Sequence, residues 1–373
     1  MRIDKVLKTQ CTGCSACSNA CHEGAISMMP DNDLFLYPRT DESLCISCGR
    51  CAAVCPALTP APAVHSSQFF AAKHKEHSVH VSSQSGGVFF TLAAQCIENG
   101  GKVFGAAFAS DWNVSHICAD SLTGLEKLQG SKYVQSDPGD TFSQVKKAVG
   151  ENIPVIFSGT PCQCAGLRRF LGKSYENLLT VDLICHGVPA PKLWQDYLAY
   201  MKKKYHGEID NAVFRVHDGT RRGHTECITI NGINRYTVTY GQLFYTHAFL
   251  RQSCLNCQYR TLERTGDISI GDWVGGQRID PDFWDNCGVS LVLINTAAGK
   301  TAWDMVKNKF TLRTLTETEA LQPPLKNVFH IPPASDKMRT VWHSRGFAAA
   351  ARKYGHEPYA KVLKRRLKKI IKL

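Results

Sequence analysis

Cys11-Thr12-Gly13-Cys14-Ser15-Ala16-Cys17-Ser18-Asn19-Ala20-Cys21 and Cys45-Ile46-Ser47-Cys48-Gly49-Arg50-Cys51-Ala52-Ala53-Val54-Cys55 share one spacing. Each run sets four thiols apart by two, two and three residues, the arrangement that holds a cubic [4Fe–4S] cluster. Where a chain carries two such runs, the fourth cysteine of each reaches across to the other cluster. The spacing therefore assigns Cys11, Cys14, Cys17 and Cys55 to one cluster, and Cys45, Cys48, Cys51 and Cys21 to the second. Structural zinc usually takes its ligands as two separated pairs. Disulfides need an oxidising compartment, and Met1–Gln10 shows no apolar signal-peptide stretch. Pro56 follows Cys55 as this motif expects, whereas His22 follows Cys21. The segment predicts single-electron transfer.

The rest of the composition agrees. Seventeen cysteines in 373 residues without a signal peptide point to metal rather than disulfides. No apolar run reaches the length of a transmembrane helix, so the chain reads as soluble or peripheral and cytoplasmic. Oxygen attacks exposed clusters, which favours an anaerobic host. The formal charge of +12 is uneven: Arg352–Leu373 holds nine Lys or Arg against one Glu. The remainder is nearly neutral, so the charge supports no nucleic-acid partner. Within that tail Tyr359, Val362, Leu363, Leu367, Ile370 and Ile371 form an apolar stripe at helical spacing. Such a basic amphipathic helix fits three roles: docking on the body, lying on an anionic membrane, or meeting an acidic redox partner.

Residues 1–57 read as a two-cluster ferredoxin-like domain with an internal repeat. Residues 58–67 read as an extended Pro/Ala linker, residues 68–330 as a larger domain, and 331–373 as the tail. In the larger domain helices (86–98, 141–149 with Asp140 as N-cap, 165–171, 191–205) alternate with strands (102–109, 153–158, 178–184). A hairpin follows, turned at Asn231-Gly232, then a strand over 289–295 and a helix over 301–309. The pattern predicts a mixed α/β fold with some parallel strands.

Two buried strands run straight into cysteine loops. The first leads to Gly159-Thr160-Pro161-Cys162-Gln163, the second to Cys185-His186-Gly187. If they are parallel neighbours, their C-terminal ends share the sheet edge where open α/β sheets bind ligands. Cys254 and Cys257, spaced as a metal-binding pair, bring the thiols to four. A third [4Fe–4S] cluster and a four-cysteine zinc site fit this set equally, and Cys162 and Cys185 also fit as plain buried cysteines.

The chain resembles the coenzyme F-420 hydrogenase/dehydrogenase beta-subunit family from Cys11 to about Thr301. The likeness is carried by Ser83-Gln84-Ser85-Gly86-Gly87-Val88-Phe89, Gly130-Ser131-Lys132-Tyr133, the Cys162 and Cys185 loops, and Cys254-x2-Cys257 followed by Asp267-Ile268-Ser269-Ile270-Gly271-Asp272. The resemblance implies a fused ferredoxin module, an FAD site, and a proximal [4Fe–4S] cluster on Cys162, Cys185, Cys254 and Cys257. It implies F-420 or another organic molecule as hydride donor or acceptor, and a ferredoxin-like carrier at the other end.

No G-x-G-x-x-G occurs, so a Rossmann site is not supported. Ser85, Gly86 and Gly87 open a helix, where amides favour a phosphate; a plain glycine turn is the blander reading. Lys132 is a candidate for the flavin or its phosphates and, with His186, for catalysis; a surface lysine and a hydrogen bond behind the metal site are the blander roles. Thr160 and Gln163 flank Cys162 and can touch the flavin, and Asp267 and Asp272 can orient it or the substrate, or cap turns. The leading function is thus an FAD- and iron–sulfur-dependent oxidoreductase. The alternatives are an electron-transfer subunit of a larger complex, a reductase in surface-polysaccharide biosynthesis, and a metal-stabilised binding protein without redox role.

Overall fold

Gly13 and Ser15 flank Cys14 with φ of 69° and 61°, and Ser47 and Gly49 flank Cys48 with φ of 55° and 76°. The repeat is therefore conformational as well as chemical. A left-handed residue on either side of the central cysteine curls the backbone around it. Each curl runs into a short helix, Ala16–Ala20 or Arg50–Ala53. Between them, strands Ile26–Pro30 and Leu36–Thr40 pair antiparallel with Ile26 opposite Thr40. The computed structural model describes residues 3, 6–216, 225–326 and 334–356. The basic stripe expected at residues 359–371 lies outside the described residues.

The larger domain is built on an eight-stranded sheet in the order Phe310–Leu315, Gln68–His74, Ser290–Ile294, Ile268–Asp272, Leu178–Leu183, Val155–Gly159, Lys102–Phe108, Val114–Ala119. The four strands from Ile268–Asp272 to Lys102–Phe108 are mutually parallel. The flanking pairs are antiparallel. Side chains alternate between two covered faces, as a doubly buried sheet requires. Val103 and Ile156 pack with Leu92 and Trp303 on one face, while Phe104, Val155 and Phe157 pack with Phe142 and Leu167 on the other. A three-stranded antiparallel sheet, with the expected turn at Asn231-Gly232, backs onto the helices Pro191–Tyr205 and Ser335–Tyr354 around Trp194, Tyr197 and Trp342. The fold is mixed α/β, a small cysteine-rich domain followed by a larger one. Among the described residues no helix is long and apolar enough to cross a membrane.

Two expectations change. Residues 58–67 do not form a free spacer. Ala61 is buried with Ala165 and Tyr259, and Val64–His65 pairs with Glu263–Arg264. The cysteine domain is docked rather than tethered, because Cys14 and Ala16 belong to the same apolar core as Phe104, Phe142 and Phe157. The helix expected from Ala165 begins at Pro161. Pro at the first helical position lacks the amide that would be unsatisfied there anyway, so Gly-Thr-Pro-Cys is a helix start, not a loop.

Candidate functional site

The strands Val155–Gly159 and Leu178–Leu183 are parallel neighbours, with Gly159 opposite Asp182. Their C-terminal ends place Cys162 and Cys185 side by side, as the topology argument expects. Cys162 occupies the first turn of the 11-residue helix Pro161–Leu171, capped by Thr160, where the helix dipole favours a thiolate. Thr160 Oγ1 lies 3.1 Å from Cys162 Sγ. Gln163 is fully engaged: its Oε1 accepts from Thr160 N at 2.9 Å and its Nε2 donates to Ser136 Oγ at 3.0 Å.

The Cys254 pair arrives by tertiary pairing. Ala190 N donates to Phe249 O, and Arg251 N to Val188 O, both at 2.9 Å, so the chain after Cys185 runs beside the chain before Cys254. Gly187, with φ of 109°, permits this approach; a Cβ there would lie 2.8 Å from Leu250 and 3.5 Å from Cys254. The loop carrying Cys257 is clamped by Arg264, whose guanidinium donates to Asp182 at 2.6 Å and to Tyr259 O at 2.9 Å. Burial pushes the Cys185 thiol up to about 12, and the charges of Cys162 and Cys257 add to it. Cys254 is likewise raised by burial, then by Cys185, Cys162 and Cys257. The four thiols thus face one site. Among the described residues no group of three or more His, Cys, Asp or Glu is placed as a ready metal-ion site. Cys164 is buried in the apolar core; it feels the charge of Cys162 but does not line the cavity that the four share.

In the N-terminal domain Cys11, Cys14, Cys17 and Cys55 line one small cavity, and Cys17 is raised by burial, then by Cys14, Cys11 and Cys55. These are the four cysteines that the spacing groups together. Cys21 packs near Cys51, and Cys48 is exposed.

The four central cysteines lie in the wall of a cavity of about 810 Å³, within the range of cofactor sites. Ser85, Gly87, Lys132, Thr160, Gln163 and His186 line it too. Ser83 Oγ, Ser85 Oγ and His116 Nδ1 are buried on its lining without a partner in the described protein. Orphaned polar atoms of this kind call for a ligand. Gly87, at φ 86°, precedes the helix Val88–Glu98, which no side chain caps. A polar cofactor with phosphates fits this wall. Lys132 donates to Lys127 O and Gln129 O at 2.9 and 2.7 Å, and burial pushes it down to about 7. His186 pairs with His247, Nε2 to Nε2, at 2.8 Å. Burial first, then His247 and Arg260, push it down to about 4, so it is neutral at physiological pH.

Two candidates are displaced. Gly86 is wedged against the sheet: a Cβ there would fall 1.9 Å from Ala72 O, and its amide donates to Ser290 Oγ at 2.9 Å. Its smallness serves packing. Asp267 accepts from Arg168 and Thr296 on one oxygen and from Thr180 N and Oγ1 on the other. It ties strands together and does not line the cavity. The cavity aspartate is Asp272, which takes a 2.5 Å bond from Arg215. Sequence reasoning missed Arg215, Tyr133, Tyr245 and His116 as cavity residues; only Tyr133 and Asp272 lie within the motifs that carry the family resemblance.

Residues 154–319 match the family that describes the C terminus of the coenzyme F420 hydrogenase/dehydrogenase beta subunit. Residues 10–58 match the 4Fe-4S dicluster domain. The chain is 25% identical over 323 residues to the F subunit of the F(420)H(2) dehydrogenase of Methanosarcina mazei (strain ATCC BAA-159 / DSM 3647 / Goe1 / Go1 / JCM 11833 / OCM 88), covering 81% of this chain and 84% of that relative. It is also similar to a chain of the F420-reducing [NiFe] hydrogenase complex from Methanosarcina barkeri, with a TM-score of 0.46 and 19% identity over 79% of this chain and 92% of that one. The family named from the motifs and the matched family are the same. The chain carries a 4Fe-4S dicluster domain and is related to the beta subunits of coenzyme F420 hydrogenase/dehydrogenase.

Proposed function

We propose that this chain is an iron–sulfur flavoprotein oxidoreductase with three [4Fe–4S] clusters and one FAD. The observation that carries the reading is the convergence of Cys162, Cys185, Cys254 and Cys257, from three separate segments, on the wall of a cavity with unpartnered polar groups elsewhere in its lining. Bound FAD supplies the exchange between a hydride and single electrons. Ser85, Gly87 and the amides opening Val88–Glu98 hold its phosphates. Lys132 has a third N–H beyond the two given to carbonyls, which serves the cofactor or substrate. Arg215 and Asp272 position the organic substrate, F-420 or another hydride carrier, and neutral His186 can donate or accept a proton at Nε2 in exchange with His247.

A second reading, an electron-transfer subunit within a larger assembly, is favoured by the relative in Methanosarcina mazei, which is itself one subunit of a dehydrogenase. Anaerobic purification with iron, sulfide and flavin analysis tests the first point. Three cubes and one flavin give roughly 12 iron and about one flavin per chain; about 8 iron without flavin overturns the central site. Turnover of F-420 with an electron-accepting dye by the isolated chain separates enzyme from subunit. The same assay with a ferredoxin in place of the dye tests the carrier.

A further inference from the structure

We propose that Arg251 is the counter-charge of the inner N-terminal cluster, bound by Cys11, Cys14, Cys17 and Cys55, and sets its redox potential. The proposal rests on the cluster reading of those four cysteines and is independent of the flavin.

Arg251 is 0% exposed. Its Nε donates to Cys11 O at 2.8 Å, Nη1 to Gln135 Oε1 at 2.9 Å, and Nη2 to Leu36 O at 2.8 Å and to Cys11 Sγ at 3.6 Å. The guanidinium stacks over Tyr37 at 4.2 Å and Phe35 at 5.4 Å. Among the described residues no carboxylate pairs with it. The other fully buried arginine, Arg264, has Asp182 at 2.6 Å. Arginine cannot escape burial by losing its proton, and an uncompensated buried charge is strongly unfavourable. The sulfur of Cys11 is the one hydrogen-bond acceptor of the guanidinium that becomes anionic, and does so when iron is bound; the charge of Arg251 also reaches Cys162 of the central site without a hydrogen bond.

The placement is built, not incidental. Arg251 O accepts from Cys254 N at 2.9 Å, so the residue that touches the inner cluster also holds a ligand of the central site. Gln135 completes the seat, donating to Thr12 O at 2.9 Å. Gly13 leaves room for both: a Cβ there would lie 2.8 Å from Gln135 Nε2 and 2.9 Å from Arg251 Nη1. At the outer run Cys48 is exposed, and nearby Arg50 instead meets His22 at the surface, 3.2 Å away.

Reduction adds one electron to the cube, breaks no bond and takes up no proton. The electron comes from the central site, or from dithionite in the test. The reduced cluster is more negative, so a fixed positive charge and a hydrogen bond to its sulfur favour it. Arg251 therefore raises the potential of the inner cluster above what its cysteines alone would set.

The test is an anaerobic, EPR-monitored redox titration of the full-length holoprotein, after iron analysis. Wild-type iron below that of two cubes sinks the cluster reading itself, and is distinguished by being measured first. Arg251→Gln should lower one midpoint so that roughly tenfold less of that cluster is reduced at a fixed potential, a shift of about 59 mV. Arg251→Lys should recover much of it, and the shift should persist in Cys48→Ala and in Cys185→Ser backgrounds, where the outer and the central cluster respectively lack a ligand. Loss of about four iron from Arg251→Gln but not from Arg251→Lys supports the same conclusion. Unchanged midpoints, equal effects of Gln and Lys, iron loss from both, or a shift abolished by Cys48→Ala or by Cys185→Ser each overturn it.

Discussion

Gly166 makes the room in which Cys14 sits: a Cβ on Gly166 would lie 2.8 Å from Cys14 Sγ. This one contact joins the helix that carries Cys162 in its first turn to the inner N-terminal cluster site, and the charge of Cys162 is felt at Cys14. Two cysteine sets distant in sequence thereby become neighbours in space.

Gly166→Val should disrupt that joint. Overpacking here costs about 1–3 kcal/mol, and the cluster bound by Cys14 is the group that must give. The expected outcome is a lower melting temperature and a loss of up to about four iron per chain. Unchanged iron and stability would show that the contact is slack.

Cys185→Ser removes one of four central thiols. Iron should fall by about four per chain, while the EPR signals of the N-terminal clusters persist. Loss of all iron, or none, would contradict a separate central site.

Gly87→Ala forces a Cβ into φ 86° and toward His74 Cβ at 3.2 Å, at the turn opening Val88–Glu98. Flavin content should fall several-fold with iron unchanged, read from absorbance after denaturation. Full flavin retention would move the cofactor away from this wall.

His116 stacks on Phe157 with centroids 5.3 Å apart, and its Nε2 lies 3.1 Å from Ser158 O. It is 8% exposed, and burial pushes it from 6.5 down to about 4. The unfolded chain then binds more protons between those values. Stability is full above the unfolded pKa and is lost as pH falls towards 4. Between pH 7 and pH 5 this one group should cost about 2 kcal/mol. Anaerobic denaturation of wild type and His116→Phe at both pH values checks it: the variant should lose less on acidification. Equal losses would place the pH dependence elsewhere.

Much of the site is legible where the constraint is local. The crossed pairing of the two cysteine runs is an expectation from spacing, and Cys17 lies near enough to Cys55 to feel its charge. Val155–Gly159 and Leu178–Leu183 are readable as apolar runs, and their parallel pairing follows from the helix between them. Of the two motif aspartates, Asp267 and Asp272, only Asp272 lines the cavity, and a signal for this existed. Ile268–Asp272 runs parallel to Leu178–Leu183, so its C-terminal end, at Asp272, shares the edge with Cys185, and Asp267 lies at the other. Gly86 misleads because a glycine that packs and a glycine that cradles a phosphate look alike in sequence.

The amino-acid sequence by itself determined the donor chemistry and the local geometry: which thiols are spaced as a set, where glycine and serine curl the chain, which segments must be buried. Those properties act over a few residues and leave a spacing to read. Only the tertiary structure decided which distant groups meet. Strand pairing at Val188 and Arg251 brings Cys254 to Cys185, and core packing presses Cys14 onto Gly166. Burial without a carboxylate then gives Arg251 its partner in Cys11. Such contacts depend on the register of whole elements and on the exclusion of water, and no short-range pattern encodes either.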